Sequence, residues 1–289
     1  MNKNKTDIQL VNQLCNTKIV DIMPILDKGE VNRVYVVKIE NEKLIVRLNE
    51  ESEISRFEKE HWCMVKASQC NIPSPQVIDF GISNNTAFMI LEFVEGLNGE
   101  EIRQRNHIWN KLGSYAKKSH SIPTVGFGET MTQPGTFTDS WERYVSYNIE
   151  SLNEEDALLR MNVINHSDSG KLRDLFKQLL KKQFAFGLSH NDISFANILV
   201  EDEQITLLDW GSAESTIVPH FEILGILEDS LQQEEPLFKD FLEGYSMSLE
   251  EYKNILPDMN ALALLKAVDK LRWAINRSPE RIEDFFRQS

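Results

Sequence analysis

The sequence reads LSHNDISFANILV from residue 188 to residue 200 and QITLLDWG from residue 204 to residue 211. A polar loop from His190 to Asn197 leads into an apolar strand, a short turn and a second apolar strand that ends at Asp209. Residues of these types often serve only as turn formers and caps. That explanation would require one histidine, two aspartates and one asparagine to match the strand pattern by chance, so the stretch predicts a catalytic site.

Three polar residues of this stretch suit the transfer of a phosphoryl group, which depends on placing a hydroxyl in line and neutralising charge on the phosphate oxygens. Asp192 is a candidate catalytic residue because a carboxylate on a loop can accept the proton of a hydroxyl. Asn197 can offer an oxygen ligand to Mg2+, and Asp209 can chelate the ion that bridges the phosphates. His190 is the second candidate catalytic residue, although we expect it to brace the loop through hydrogen bonds and not to shuttle protons.

The motif resembles the catalytic and metal-binding motifs of the aminoglycoside phosphotransferase and choline kinase family, small-molecule relatives of the protein kinases. Asp209-Trp210-Gly211 stands where protein kinases have Asp-Phe-Gly. The resemblance implies a protein-kinase-like, two-lobed α+β fold that uses Mg2+ and takes ATP or GTP as the phosphoryl donor, and the motifs do not separate the two nucleotides. Residues 212–223 leave no room for a long activation segment, which argues against a protein kinase. The family often has aspartate where Glu222 stands.

The N-terminal third has the pattern of an antiparallel sheet with one inserted helix. After a first helix near residues 8–15, runs rich in valine and isoleucine predict strands at residues 31–40, 43–49, 77–80 and 86–94, and residues 51–69 predict the inserted helix. Residues 95–99 are the candidate hinge. We therefore place a nucleotide-binding lobe at residues 1–95 and a mainly helical, catalytic and substrate-binding lobe at residues 96–289. Its predicted helices cover residues 102–120, 140–152, 169–186, 223–245 and 259–276.

The first lobe holds the candidates for nucleotide binding. Gly29 lies just ahead of the first predicted hairpin and Asn32 lies at its start, where a loop can cover the phosphates. Alternation along residues 43–49 puts Ile45 and Arg47 on one face, so Ile45 can pack on the base while Arg47 reaches the phosphates. The resemblance gives Arg47 the role of the strand lysine of protein kinases, with Lys43 as the alternative.

The resemblance also assigns roles to a helix glutamate and to the hinge. By its spacing, Glu60 matches the helix glutamate that pairs with the basic strand residue, while Glu53 and Glu58 are the alternatives. The Glu92 carbonyl and the Val94 amide are expected to bind the adenine base through backbone hydrogen bonds.

The acceptor is expected to be a hydroxyl group of a small molecule. An aminoglycoside-like compound, or another antibiotic or a sugar, is the leading hypothesis, and an antibiotic acceptor would imply a role in resistance. Choline, ethanolamine and homoserine are metabolic alternatives, and a nucleotide-binding pseudokinase module is the non-catalytic one. Several carboxylates of the second lobe can attract a cationic acceptor if they converge near Asp192, although each alone is more typical of a solvated surface: Glu150, Glu154, Glu155, Asp156, Glu228 and Asp229.

Charge and hydropathy argue against other classes of function. The 289-residue chain has a formal net charge of -14, which disfavours binding to nucleic acid. No segment approaches the run of about 20 apolar residues that a membrane span requires. The N-terminus lacks an apolar signal core, so we expect a cytoplasmic protein with no membrane association. The cysteines, Cys15, Cys63 and Cys70, are wrongly spaced for a zinc site.

Overall fold

The computed structural model describes residues 3–15, 18–25, 32–40, 42–103, 105–231 and 235–277. The chain begins with helix α1 (Lys3–Cys15) and continues into an antiparallel sheet with the order β1-β2-β3-β5-β4. The strands are β1 (Ile19–Ile25), β2 (Arg33–Ile39), β3 (Glu42–Glu50), β4 (Val77–Ser83) and β5 (Thr86–Glu92). Helix α2 (Ile54–Gln69) connects β3 to β4. The predicted sheet with one inserted helix is confirmed.

Alternation along β3 decides which side chains face each side of the sheet. Three alternate residues are buried in a cluster with α1: Leu44, Val46 and Leu48. Ile45 packs on the opposite face, in the cluster to which α2 contributes. Arg47, two residues further, shares that face and is therefore directed toward α2.

The strand β4 extends three residues past its predicted end at residue 80, to Ser83, and two other strands differ from the prediction. The sequence pattern predicts no strand at β1, because this edge strand pairs only with β2, exposes most of its residues and contains Pro24. The end of β5 is Glu92, whereas the predicted strand extends to Val94. Both differences lie where the sheet has an edge or an end, and there burial does not impose a clear alternation.

Two glycines allow the chain to pass closely from the sheet into the second part of the molecule. A Cβ on Gly96, whose φ is +139, would lie 3.0 Å from the carbonyl oxygen of Val200, and one on Gly99 would lie 2.6 Å from that of Phe195. Between these glycines, β6 (Leu97–Asn98) pairs with β10 (Ile198–Glu201). The connection therefore lies against the segment that follows the catalytic motif.

The second part is mainly helical and contains two small sheets. Its helices are α3 (Asn106–His120), α4 (Trp141–Ser151), α5 (Ala157–Arg160), α6 (His166–Leu179), α7 (His220–Asp229), α8 (Glu235–Tyr245) and α9 (Leu249–Arg277). One sheet has the order β11-β10-β6, and the other has the order β8-β7-β12-β9. Their remaining strands are β7 (Phe127–Gln133), β8 (Thr136–Asp139), β9 (Phe186–Ser189), β11 (Gln204–Leu207) and β12 (Glu214–Ile217). Among the described helices, none combines the length and apolar character that a bilayer span requires.

Two predictions for this part were wrong in detail, and one hairpin was missed. The helix predicted at residues 169–186 ends at Leu179, and Phe186 begins β9 instead. The helix predicted at residues 223–245 is two helices, α7 and α8. The hairpin β7–β8 was not predicted, because its strands are short and largely exposed and β7 is held by pairing with β12, more than 80 residues away in the chain.

Candidate active site

The loop that carries Asp192 is held in place by one buried carboxylate, which comes from α7. Glu222, in α7, is 1% exposed and accepts hydrogen bonds from the His190 amide at 2.8 Å, the Asn191 amide at 3.1 Å and the Ser189 hydroxyl at 2.6 Å. Burial acts to raise the pKa of Glu222, but His120, His190 and Ser189 outweigh it and hold the pKa below its usual value. Glu222 is therefore a charged anchor that holds the backbone of the loop in place.

His190 ties the same loop to the strand end before Asp209. Its side chain is fully buried, and its Nε2 lies 2.8 Å from the carbonyl oxygen of Leu208. Its ring meets the indole of Trp210 edge-on at 4.7 Å, and Trp210 in turn donates from Nε1 to Ser74 Oγ at 3.0 Å. These contacts join the two halves of the sequence motif into one rigid unit.

Asp192 and Asn197 lie on the open side of this loop. Asn197 Nδ2 donates to the backbone carbonyl of Asp192 at 3.0 Å, so its amide oxygen is the atom left to bind a cation. Burial raises the pKa of Asp192; His190 and Asn197 oppose the rise, and the negative charges of Asp209 and Asp229 add to it. The carboxylates of this region are thus close enough to repel one another.

Asp209 has a backbone conformation that is uncommon for a residue other than glycine. Its φ of 53 and ψ of 65 lie in the left-handed region, which few residues other than glycine adopt without support. Its side chain is half exposed, whereas the neighbouring Trp210 is buried and anchored. The conformation therefore directs the carboxylate into open space beside Arg47, whose Nη2 lies 3.8 Å from Asp209 Oδ1.

The donor atoms present here fit Mg2+, which is commonly held by one or two protein oxygens together with substrate phosphates. Asn197 supplies an amide oxygen and Asp209 a half-exposed carboxylate. Among the described residues, no group of three or more His, Cys, Asp or Glu is arranged to hold a metal by itself. Burial is the main cause of the raised pKa of Asp192, and a bound divalent cation would relieve the smaller contribution from the charge of Asp209.

A buried ion pair connects the sheet to α2. Arg47 Nη1 lies 2.5 Å from Glu60 Oε1, and both side chains are largely buried. The pKa of Arg47 is raised, because Glu60 and Asp209 together outweigh the effect of burial. Burial raises the pKa of Glu60, and Arg47 acts in the opposite direction. The sequence prediction named Arg47 and Glu60 as partners, and the structure places them in contact.

The alternatives to this pair have other partners. Lys43 lies 2.8 Å from Glu95 Oε1 and over the ring of Phe93. Glu53 binds Arg56 one turn away on the surface, and Glu58 is exposed. None of the three alternatives lies in the contact between β3 and α2.

A cavity of about 330 Å3 opens beside the ion pair. Asn32 lines it and accepts a hydrogen bond from Asn49 Nδ2 at 2.9 Å, whereas Gly29 lies outside the described residues. Glu92, at the end of β5, binds Gln76 through both its side chain and its amide. Adenine binding by the Glu92 carbonyl and the Val94 amide stays a prediction. The cavity wall consists of Asn32, Arg47, Asn49, Ser55, Arg56, Phe57, Lys59, Glu60, Glu129, Thr130, Met131, Asp209, Gly211 and Ser212.

A second cavity, of about 480 Å3, lies on the other side of β7. Glu129 and Thr130 line both cavities, so β7 is their common wall. Asn191, next to Asp192, also lines the second cavity and donates from Nδ2 to Glu214 at 3.2 Å. The other lining residues are Phe127, Gly128, Thr138, Asp139, Tyr144, Thr216, Phe221, Lys266, Asp269, Lys270 and Trp273.

The second cavity has an acidic wall. It contains four carboxylates and two lysines, and Arg143 contacts one of the carboxylates, Asp139, at 2.6 Å. Burial raises the pKa of Glu214 to about 6, with Lys266 and Lys59 opposing and Glu129 and Glu222 adding to the rise. Burial also raises the pKa of Asp269. Protein cations compensate these carboxylates only in part, since burial still raises the pKa of Glu214 and of Asp269.

None of the acidic residues proposed from sequence for the acceptor lines this cavity. Asp156 is buried and binds Arg272 at 2.9 Å, so it stabilises the packing of α5 on α9. Glu154 is exposed near His166, and Asp229 borders a small hollow next to Asp192. Sequence reasoning missed Glu129, Asp139, Glu214 and Asp269, because they come from distant segments that converge only in the fold.

Most of the chain matches a known protein family. Residues 23–262 match the model of the phosphotransferase enzyme family (APH). A protein of Staphylococcus aureus described as "Uncharacterized protein in ileS 3'region" is 31% identical over 113 residues, which cover 38% of this chain and 82% of that protein.

Solved structures show the same fold at low sequence identity. A thermostable mutant of aminoglycoside phosphotransferase APH(4)-Ia, in ternary complex with AMP-PNP and hygromycin B, aligns with a TM-score of 0.67 and 14% identity over 98% of this chain and 99% of its own. The GDP and kanamycin complex of APH(2")-IIIa aligns with a TM-score of 0.68 and 13% identity over 99% and 97%. The predicted protein-kinase-like two-lobed α+β fold is confirmed, and the chain belongs to the phosphotransferase enzyme family.

Proposed function

We propose that this protein transfers the γ-phosphoryl group of ATP or GTP to a hydroxyl group of a small molecule that carries ammonium groups, such as an aminoglycoside. The observation that carries the proposal is the shared wall between two cavities. One contains Arg47 and Asp209, and the other is acidic and contains Asn191, the residue that precedes Asp192.

The donor nucleotide occupies the cavity beside the buried ion pair. Arg47 binds phosphate oxygens, and Glu60 holds the guanidinium in position for this. Asn197 and Asp209 hold Mg2+, which neutralises charge on the phosphate oxygens when it is bound. The nucleotide-binding lobe extends to residue 95, and the catalytic and acceptor-binding lobe begins at residue 96.

Asp192 orients the acceptor hydroxyl and takes its proton. The loop can hold this carboxylate accurately, because Glu222 and His190 fix the two residues before it and Asn197 binds its backbone carbonyl. Phosphoryl transfer passes through a loose transition state, so positioning contributes as much as proton removal. Asp192 is therefore the catalytic residue, and His190 and Glu222 support it.

The acceptor occupies the acidic cavity. Its volume of about 480 Å3 lies within the range of drug-sized ligand sites. Ammonium groups would form charge-assisted hydrogen bonds with Glu129, Glu214 and Asp269. Kanamycin and hygromycin B, bound by the structural neighbours, belong to this chemical class. A neutral sugar would leave the carboxylates without partners.

The proposal is tested by a coupled assay of nucleoside diphosphate release with Mg2+ and ATP or GTP, run against aminoglycosides, amino alcohols, neutral sugars and macrolides. We expect aminoglycosides to stimulate release. Stimulation by neutral acceptors alone would retain the kinase and overturn the cationic acceptor. Nucleotide binding without stimulated release by any class would favour the non-catalytic module.

A further inference from the structure

One lysine on α2 lies in an environment that is unusual for a lysine. Lys59 is 5% exposed, and its Nζ donates to the backbone carbonyl oxygen of Ala213 at 3.0 Å. Among the described residues, no carboxylate forms an ion pair with this ammonium. Lysines are rarely buried without a paired charge, because desolvating an ammonium is costly. Lys59 also lines the cavity that we assign to the nucleotide.

The other cations of that cavity are already engaged. Arg47 contacts two carboxylates, those of Glu60 and Asp209. Arg56 binds Glu53 at 2.6 Å, and its side chain is 61% exposed. Of the cations that line the described part of the cavity, Lys59 is the one that is both buried and without an ion pair.

The ammonium lies close to the residues around Asp209. A Cβ on Gly211 would lie 3.1 Å from Asp209 Oδ1 and 3.8 Å from Glu60 Oε2, so these three residues are near neighbours. Lys59 precedes Glu60 in α2, and its bond partner Ala213 follows Gly211 by two residues. Arg47, Lys59 and Asp209 all line this cavity, so an anion that occupies it can approach the Lys59 side chain.

We propose that Lys59 is a phosphate-binding residue that supplies the unpaired positive charge of the nucleotide cavity. The inference rests on the proposed function, since it takes the phosphates of the donor nucleotide as the anion. The ammonium has three donors, of which Ala213 uses one, so two can bind phosphate oxygens. Arg47 contributes less net charge, because its carboxylate partners already neutralise it.

A purely structural role is the competing explanation. In that case Lys59 would only join α2 to the segment after Asp-Trp-Gly, and its charge would be balanced at longer range by Glu60 and Glu214, whose pKa values it lowers. The two roles differ in one respect. A phosphate-binding lysine affects ligands in proportion to their phosphates, whereas a structural lysine affects folding and all ligands alike.

The test uses calorimetric affinities of the wild type, Lys59→Met and Lys59→Arg for Mg·AMP-PNP, Mg·GMP-PNP, tripolyphosphate and adenosine or guanosine. We expect Lys59→Met to weaken the binding of the preferred nucleotide and of tripolyphosphate by about tenfold or more. The nucleoside affinity should stay within about twofold. Lys59→Arg should recover most of the loss. The matched control is Lys66→Met in the same helix, because Lys66 binds only Gln69 among the described residues.

Equal loss for nucleoside and nucleotide, or an unchanged tripolyphosphate affinity, would overturn the inference and leave the proposed function standing. A wild type that binds neither nucleotide would overturn the proposed function itself. If Lys59→Met does not fold, the wild type labelled with [15N]lysine provides the second measurement. A shift of the Lys59 Nζ resonance on addition of tripolyphosphate is expected, and its absence would overturn the inference.

Discussion

The two cavities on either side of β7 are built in different ways. The cavity that we assign to the nucleotide centres on the buried pair of Arg47 and Glu60. It also includes Asp209, from the candidate catalytic motif that is contiguous in the chain. The acceptor side collects carboxylates from the β7–β8 hairpin, from β12 and from α9, and its charges are only partly compensated. The two cavities therefore differ in construction: a buried ion pair holds the first, whereas the carboxylates of the second come from separate elements of the fold.

Replacing Asp192, the proposed catalytic carboxylate, should have the largest effect, which is on turnover. Asp192→Asn is expected to reduce turnover by about a thousandfold, because orientation and proton removal are both lost. Nucleotide affinity should stay within about twofold, since the residue acts on the acceptor. Steady-state diphosphate release and calorimetric binding measure the two quantities. Turnover near the wild-type rate would refute the assignment of Asp192.

Breaking the buried ion pair should have the next largest effect. Glu60→Gln leaves Arg47 buried with a weaker partner, and breaking such pairs costs about 3 kcal/mol of the free energy of unfolding. Nucleotide affinity should fall as well, because the guanidinium loses its position. Denaturant unfolding and calorimetry measure the two effects. Glu53→Gln is the matched control, since its pair with Arg56 is at the surface and should change stability by less than about 0.5 kcal/mol.

A substitution in the cavity proposed for the acceptor should weaken acceptor binding and leave nucleotide affinity unchanged. Glu214→Gln is expected to raise KM for a cationic acceptor about tenfold, because a desolvated charge partner is lost. The glutamine oxygen can still accept the hydrogen bond from Asn191, so nucleotide affinity should not change. Glu154→Gln, an exposed carboxylate outside the cavity, is the control. Equal effects of the two substitutions on KM would show that the cavity is not the acceptor site.

The smallest expected effect is a pH dependence of the same interaction. The pKa of Glu214 is raised from 4.5 to about 6, so the carboxylate ionises only as the pH rises through about 6. KM for a cationic acceptor should therefore fall by a few fold between about pH 5.5 and pH 7, and Glu214→Gln should reduce this change. A wild-type profile that is flat in this range would count against Glu214.

The same shift has an opposite consequence for stability. Because the folded state holds the proton of Glu214 more tightly than the unfolded chain, ionisation favours the unfolded state. The contribution of Glu214 to stability should decline as the pH rises from 4.5 to about 6. Comparing the free energy of unfolding of the wild type and of Glu214→Gln across this range measures the decline.

Local sequence determined the strand that carries Arg47 and the loop that carries Asp192. The alternation of apolar residues in β3 put Arg47 on the side of α2, and the spacing of His190, Asp192, Asn197 and Asp209 follows from one loop and one hairpin. Such features depend on contacts between residues close in the chain, or on a periodicity that burial imposes. The sheet with its inserted helix and the candidate residues of the loop could therefore be predicted from the sequence, whereas the two-lobed fold was implied by the resemblance to a known family.

Only the tertiary structure decided which carboxylates line the acidic cavity. Glu129, Glu214 and Asp269 are separated by many residues and have no common motif, and the hairpin that carries Glu129 depends on pairing with β12. The role of Glu222 as the buried anchor of the loop, and the unpaired burial of Lys59, likewise depend on which elements pack together. From the sequence alone, a charged residue is expected at the surface. Only packing removes the water around it and so strengthens its interactions with other charges.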